Sequence, residues 1–125
     1  MAQVMIVDDQ VNTANMISMA VTMLGHEALE IYRGEDAVEM LRTSQPDVIL
    51  LDFMMPGMNG LRTLEEMRTT PNGADVPIFL LTATQDRYIE EKANEAGATG
   101  FLPKPLNLEI LETLLRKNGK NGSGK

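Results

Sequence analysis

Short apolar runs alternate with longer amphipathic stretches along almost the whole chain. The runs at residues 4–7, 28–32, 48–51, 76–81 and 100–102 are each of strand length, and four carry β-branched residues. Val48, Ile49, Leu50 and Leu51 are apolar without interruption, as expected for a strand covered on both faces. The stretches between the runs have helical period. Ala14, Ile17, Val21 and Leu24 recur at spacings of three and four, and Gly25 before His26 reads as a C-cap. Residues 36–42 hold Ala37, Val38 and Leu41. Leu61, Leu64 and Met67 form a stripe after Asn59-Gly60, and residues 86–96 end at Gly97, a second expected C-cap. Leu108, Leu111 and Leu115, widened by Ile110 and Leu114, make the last stripe, with Asn107 as its expected N-cap.

This is a strand–helix pair repeated five times. Strands separated by helices of this length predict βαβ units and a parallel sheet. Five repeats are too few for an eightfold barrel, so an α/β, doubly wound open sheet is expected. After Arg116 the character changes: "KNGKNGSGK" holds no apolar residue and reads as a flexible tail or linker. We therefore expect one domain over residues 1–117 and a tail over 118–125.

Length and charge narrow the picture. A chain of 125 residues buries a real core without staples, and the absence of cysteine excludes a disulfide framework, a thiolate nucleophile and a cysteine zinc site. No secretory signal and no apolar stretch of membrane-spanning length is visible, which leads us to expect a cytoplasmic protein with no membrane partner. The formal net charge of −7 argues against direct nucleic-acid binding, which needs a basic footprint. Acidity mostly serves solubility, but it also invites the question whether some carboxylates share one site that wants a cation.

The residues that follow the strands answer it. The first strand ends in Asp8-Asp9, the third in Asp52, the fourth in Thr82-Ala83 and the fifth in Lys104-Pro105. Open parallel sheets bind ligands outside the carboxyl ends of their strands. Singly, each residue has a bland reading. Asp8 or Asp9 could cap the next helix, Asp52 could start a turn, Thr82 could be a satisfied hydroxyl and Lys104 a surface lysine. Met16, Met19 and Met23 read as core filling rather than a partner groove, and His26 as surface structure. In combination the residues have another meaning. Two carboxylates about 4 Å apart repel by roughly 4 kcal/mol at an effective dielectric near 20. Three of them call for a hard cation such as Mg²⁺, with Lys104 as a second positive group and Thr82 as a neutral donor. These are parts for holding a phosphoryl group around an oxygen nucleophile.

The same residues resemble the receiver domain of two-component response regulators, of which chemotaxis regulators are an example. The matching pieces are Asp8-Asp9, "DFMMPGMNG", "LLTA" and "FLPKP", in order and at the family's spacing, over about residues 3–117. The second fits the pattern D-x-x-M-P-x-M-[DN]-G closely. The resemblance implies a flavodoxin-like (βα)5 sheet of strand order 2-1-3-4-5. It implies that Asp52 is the phosphoacceptor, taking its phosphoryl group from a histidine kinase or phosphotransfer protein. Asp9, Asp52 and the Met54 backbone carbonyl would bind Mg²⁺ (Mn²⁺ as an alternative), with Asp8 holding metal-bound water. Lys104, Thr82 and the Ala83 amide would contact the phosphoryl oxygens. Thr82 and Phe101 would form the switch that reshapes the surface of the fourth helix, fifth strand and fifth helix, through which two copies could also pair. The domain would regulate an output partner or domain and assist its own phosphorylation and dephosphorylation, without being an enzyme on a separate substrate. Lys104-Pro105 would be a cis peptide, Pro56-Gly57 a type II turn, and bulky Met54 beside neutral Thr84 would slow loss of the phosphate.

Three rivals differ in class. A phosphatase of the haloacid dehalogenase type would want a second aspartate where Met54 stands, and the chain has little room for a cap domain. A flavin binder would want a Ser/Thr/Gly-rich loop where Asp8-Asp9-Gln10 stands. A receiver-like interaction module that is never phosphorylated shares the fold, and a phosphorylation assay separates it.

Overall fold

In the computed structural model the described residues are 1–55, 59–83 and 86–118. Five strands and five helices alternate: β1 (Gln3–Val7), α1 (Val11–Met23), β2 (Glu27–Ile31), α2 (Gly34–Met40), β3 (Val48–Asp52), α3 (Gly60–Arg68), β4 (Ile78–Thr82), α4 (Arg87–Glu95), β5 (Gly100–Pro103) and α5 (Leu108–Asn118). All strand pairs are parallel, in the order β2-β1-β3-β4-β5. The expected doubly wound sheet and its strand order are thus the ones observed.

Alternation along the strands separates two cores. Met5, Val7, Ile49, Leu51, Ile78 and Leu80 face one side, where α2, α3 and α4 contribute Ala37, Leu64, Met67 and Ala93. Val4, Ile6, Val48 and Leu50 face the other, against Ala14, Ile17 and Val21 of α1 and Leu111, Leu114 and Leu115 of α5. The central strand β3 is buried at all five positions, which is why its sequence shows no polar alternation.

Boundaries shift where backbone chemistry intervenes. The fourth strand begins at Ile78 rather than at residue 76, because Pro77 has no N–H for the ladder; its carbonyl still accepts from Ile49 N at 2.9 Å. Gly97 closes α4 at φ 105°, a left-handed conformation that glycine adopts without penalty, and Gly25 does the same after α1 at φ 91°. Asn107 accepts from the backbone N–H of Ile110, so the expected cap forms, and Asn59 caps α3 in the same way through the Arg62 N–H. His26 is half-buried, and its Nδ1 accepts from Ala2 N at 2.8 Å, tying down the start of β1.

One expectation is overturned. Met16, Met19 and Met23 are not core: they are 71%, 64% and 78% exposed. They share the helical spacing of Ala14, Ile17 and Val21, but that second stripe is the one facing the sheet. Helix α1 carries no charged residue at all, so it presents an uncharged, methionine-rich face to solvent.

Candidate functional site

The order reversal between β1 and β3 brings their carboxyl ends side by side: Val7 pairs with Leu51, so Asp8 and Asp52 both come directly after the same rung of the ladder. Asp8 is fully buried; its N–H donates to the Ile31 carbonyl at 3.0 Å, and its Oδ1 accepts from Gln10 N at 2.9 Å. It therefore steers the chain into α1 instead of capping the helix, whose N-cap position is Gln10. Asp52 is only 3% exposed. Asp9 is half-buried at the rim.

Oxygens of Asp8, Asp9 and Asp52 lie within 4.8 Å of one another, a grouping that could hold a metal ion. The donor set is all oxygen and anionic, and two of its members are buried, which suits a hard divalent cation. Lys104 reaches in from beyond β5: Nζ is 2.9 Å from Asp52 Oδ1 and 3.5 Å from Asp8 Oδ2. Its backbone N–H donates to the Thr82 carbonyl at 3.0 Å, which fixes the β5 end against β4. The Lys104-Pro105 peptide is cis, as expected.

The electrostatics follow from burying two carboxylates with one ammonium. Burial raises the Asp52 pKa; the Lys104 hydrogen bond opposes this, and the Asp8 charge adds to it. Burial would depress Lys104, but its hydrogen bonds and charge interactions with Asp52 and Asp8 outweigh that and hold it above its ordinary value. The cluster is thus short of positive charge.

The other expected residues surround this centre. Thr82 ends β4, one residue beyond Leu81, which pairs with Asp52, and Ala83 is exposed just past it. The Met54 N–H makes a long contact of 3.4 Å to Asp52 Oδ1, while its side chain is 71% exposed. Phe101 pairs with Leu80 and packs on the α2–α3–α4 side. The expected turn at Pro56-Gly57 and the role of Thr84 lie outside the described residues.

Two residues gained meaning only from the structure. A Cβ at Gly60 would sit 2.5 Å from Phe53 Cα and 2.8 Å from the Asp52 carbonyl oxygen, so only glycine lets α3 begin this close to β3. Phe53, directly after Asp52, turns toward the α3–α4 side and shares a small cavity with Thr82 and Phe101. A glycine at a helix start and one aromatic beside an aspartate are signals too common to be read from sequence.

Comparison with known proteins agrees with this geometry. The family model described as response regulator receiver domain matches residues 4–116. The probable chemotaxis protein CheY of Rhizobium etli is 32% identical over 114 residues, covering 90% of this chain and 88% of that protein. The phosphate regulon transcriptional regulatory protein PhoB of Pseudomonas aeruginosa is 32% identical over 124 residues, 96% of this chain but 54% of that protein. The chain thus spans about half the length of that regulator. Among solved structures, the Vibrio cholerae chemotaxis protein CheY4 superposes with a TM-score of 0.88 at 30% identity, covering 94% of this chain and 98% of that one. The receiver domain of a Pseudomonas aeruginosa sensor histidine kinase, solved with magnesium in its active-site cleft, gives 0.85 at 27% identity, covering 94% and 96%. This chain belongs to the response regulator receiver domain family, the regulatory modules of two-component phosphorelay signalling.

Proposed function

We propose that Asp52 is the phosphoacceptor and that phosphorylation there switches the α4–β5–α5 surface. The observation that carries this is the buried carboxylate pair met by Lys104, with Asp52 Oδ1 and Nζ 2.9 Å apart at the mouth of the sheet. A carboxylate oxygen of Asp52 attacks the phosphorus of a phosphohistidine on a histidine kinase or phosphotransfer protein. A P–O bond forms as the P–N bond breaks, and the imidazole leaves with that electron pair. Lys104 holds the acceptor and then the phosphoryl oxygens, while Thr82 and the Ala83 amide supply neutral donors. Asp9, Asp52 and the Met54 carbonyl would hold Mg²⁺ or Mn²⁺, with Asp8 acting through a bound water. When bound, the cation would offset the excess carboxylate charge and that of the phosphoryl oxygens. The chain's own groups in this way assist both phosphorylation and its hydrolytic reversal.

In this reading Thr82 moves toward the new phosphoryl oxygens and Phe101 turns inward, a two-state element biased by a local charge event. Residues 1–117 form the receiver and 118–125 a tail or linker; α5 runs through Asn118. Output passes to a protein partner or an attached domain, with pairing of two copies through α4–β5–α5 as a further use of that surface. Among the described residues no helix is long and apolar enough to cross a membrane, in keeping with a cytoplasmic signalling role. The formal charge of −7 leaves nucleic-acid contact to any attached domain.

The test is incubation of the full chain with Mg²⁺ and a small acyl phosphate, followed by intact mass. A phosphate adduct that is absent in Asp52→Asn supports the proposal. No adduct with any donor, or one that survives in Asp52→Asn, favours the inert interaction module.

A further inference from the structure

Beneath the β4–α4 junction lies a cavity of about 10 Å³, whose lining includes Phe53, Leu80, Thr82, Ile89 and Phe101 together with the acidic Asp86 and Glu90. By that measure it has room for about one water, which needs roughly 10–15 Å³. A phenyl ring is several times larger. Inward rotation of Phe101 therefore requires one of the walls to give way.

The walls are held in different ways. Phe53 is held at both ends of its peptide: its N–H donates to the Leu81 carbonyl at 3.0 Å, and its own carbonyl accepts from Gly60 N at 2.9 Å. Gly60 stands so close that even a methyl group there would overlap Phe53 Cα. The backbone under the ring is thus pinned by β4 on one side and by the start of α3 on the other. Ile89, in contrast, belongs to the first turns of α4, an otherwise polar helix with Ala93 as its buried residue. Thr82 is the last residue of β4, its carbonyl held by the Lys104 N–H at 3.0 Å.

We propose that Phe53 is a positioning residue for the switch, a fixed aromatic wall that blocks Phe101 from turning inward until Thr82 and the start of α4 have moved. The proposal rests on the switch reading given above. Its consequence is specific. Removing the wall frees space without any phosphoryl group, so the inward position of Phe101 becomes populated in the unmodified protein. Because coupling is reciprocal, the same change makes Asp52 easier to phosphorylate.

The chain has three phenylalanines, at positions 53, 79 and 101, so biosynthetic fluorophenylalanine gives three ¹⁹F resonances, assignable by substitution. Phe79 packs on the opposite, α1–α5 side of the sheet and serves as an internal control. The measurement is the Phe101 resonance in the full chain, with Mg²⁺ alone and with Mg²⁺ plus acetyl phosphate. In Phe53→Ala we expect Phe101 to lie at least about half-way to its phosphorylated position before any donor is added, as for a two-state equilibrium relieved of its block. Phe79 should stay in place, and the fraction phosphorylated at a fixed, sub-saturating donor concentration should rise severalfold. Ile89→Ala, which trims the opposite wall at a helix position, should shift Phe101 in the same direction and keeps the test open if Phe53→Ala fails to fold. An unshifted Phe101 with a parental donor response in a folded Phe53 or Ile89 variant overturns the wall. So does movement of Phe79 in parallel with Phe101, which marks general loosening. If Phe101 stays put in the parent while intact mass shows the adduct, the switch reading itself fails and the wall falls with it.

Discussion

Replacing Asp52 by Asn should make the metal-free protein more stable, although it deletes a residue with a short ion pair. Oxygens of Asp8, Asp9 and Asp52 lie within 4.8 Å of one another. At that separation each charged pair repels by about 3.5 kcal/mol at an effective dielectric of 20, less where Asp9 meets solvent. The attraction lost with Lys104, 2.9 Å away, is about 6 kcal/mol on the same scale. Relief of the two repulsions and loss of the one attraction nearly cancel. What remains is the cost of holding an ionised carboxylate that is 3% exposed, several kcal/mol in general and partly recovered by the buried amide. We expect a net gain of about 1–2 kcal/mol for Asp52→Asn in urea unfolding with EDTA, consistent with the upward pKa shift of Asp52. Divalent metal should reverse the order. A ligand at about 100 times its Kd stabilises by about 2.7 kcal/mol, and the Asn variant lacks one of the ligands that would capture it. The two urea curves should therefore exchange places between EDTA and millimolar Mg²⁺. An Asn variant that is less stable in EDTA, or that gains as much from Mg²⁺ as the parent, would refute both the charge balance and the assignment of Asp52 to the cation site.

The pH dependence has a definite sign. Asp52 has a folded pKa above its ordinary 3.8, so its contribution to stability is present below that value and lost as pH rises through the raised one; metal-free melting curves should show the parent losing ground to Asp52→Asn over that window. Lys104 contributes stability that is complete below its ordinary 10.5 and disappears as pH rises through its higher folded value, so alkaline melting of Lys104→Met should be flatter than that of the parent. Gly60→Ala forces a methyl group into the Phe53 backbone and should cost about 2–4 kcal/mol in urea unfolding; a loss under about 1 kcal/mol would mean that α3 can back away freely. Arg68 donates to the carbonyls of Gly73, Val76 and Gly97, tying the end of α3 to the loops around it, and Arg68→Met should destabilise by about 2–4 kcal/mol with no effect on Mg²⁺ affinity. Met54→Asn should shorten the lifetime of the phosphorylated protein by opening and polarising the mouth of the site, whose Met54 side chain is already 71% exposed; an unchanged decay rate would remove the shielding role.

How much of this was legible beforehand varied with the range of the interaction involved. The apolar run of β3 and the glycines at 25 and 97 are local signals, and each appears where local rules put it. The methionines of α1 are the counterexample. Met16, Met19 and Met23 repeat with the same period as Ala14, Ile17 and Val21, and periodicity cannot say which of two apolar stripes meets the sheet. Phe53 carries no signal in the sequence for a related reason. Nothing within a few residues of it reveals Gly60 against its backbone or Phe101 across the cavity.

By itself the sequence determined the kind of element at each position, the four polar strand ends and, through four short motifs, the family. Those are matters of period, capping and residue order. Only the tertiary structure decided that the ends of β1, β3 and β5 meet. Lys104 reaches Asp8 across 96 residues and Asp52 across 52, and does so because the strand order reverses beside β1. The chemistry depends on that meeting. A carboxylate in the extended chain is hydrated and ordinary; buried beside Asp8, with a single ammonium to share, Asp52 has its pKa raised and sits in a cluster that favours a cation.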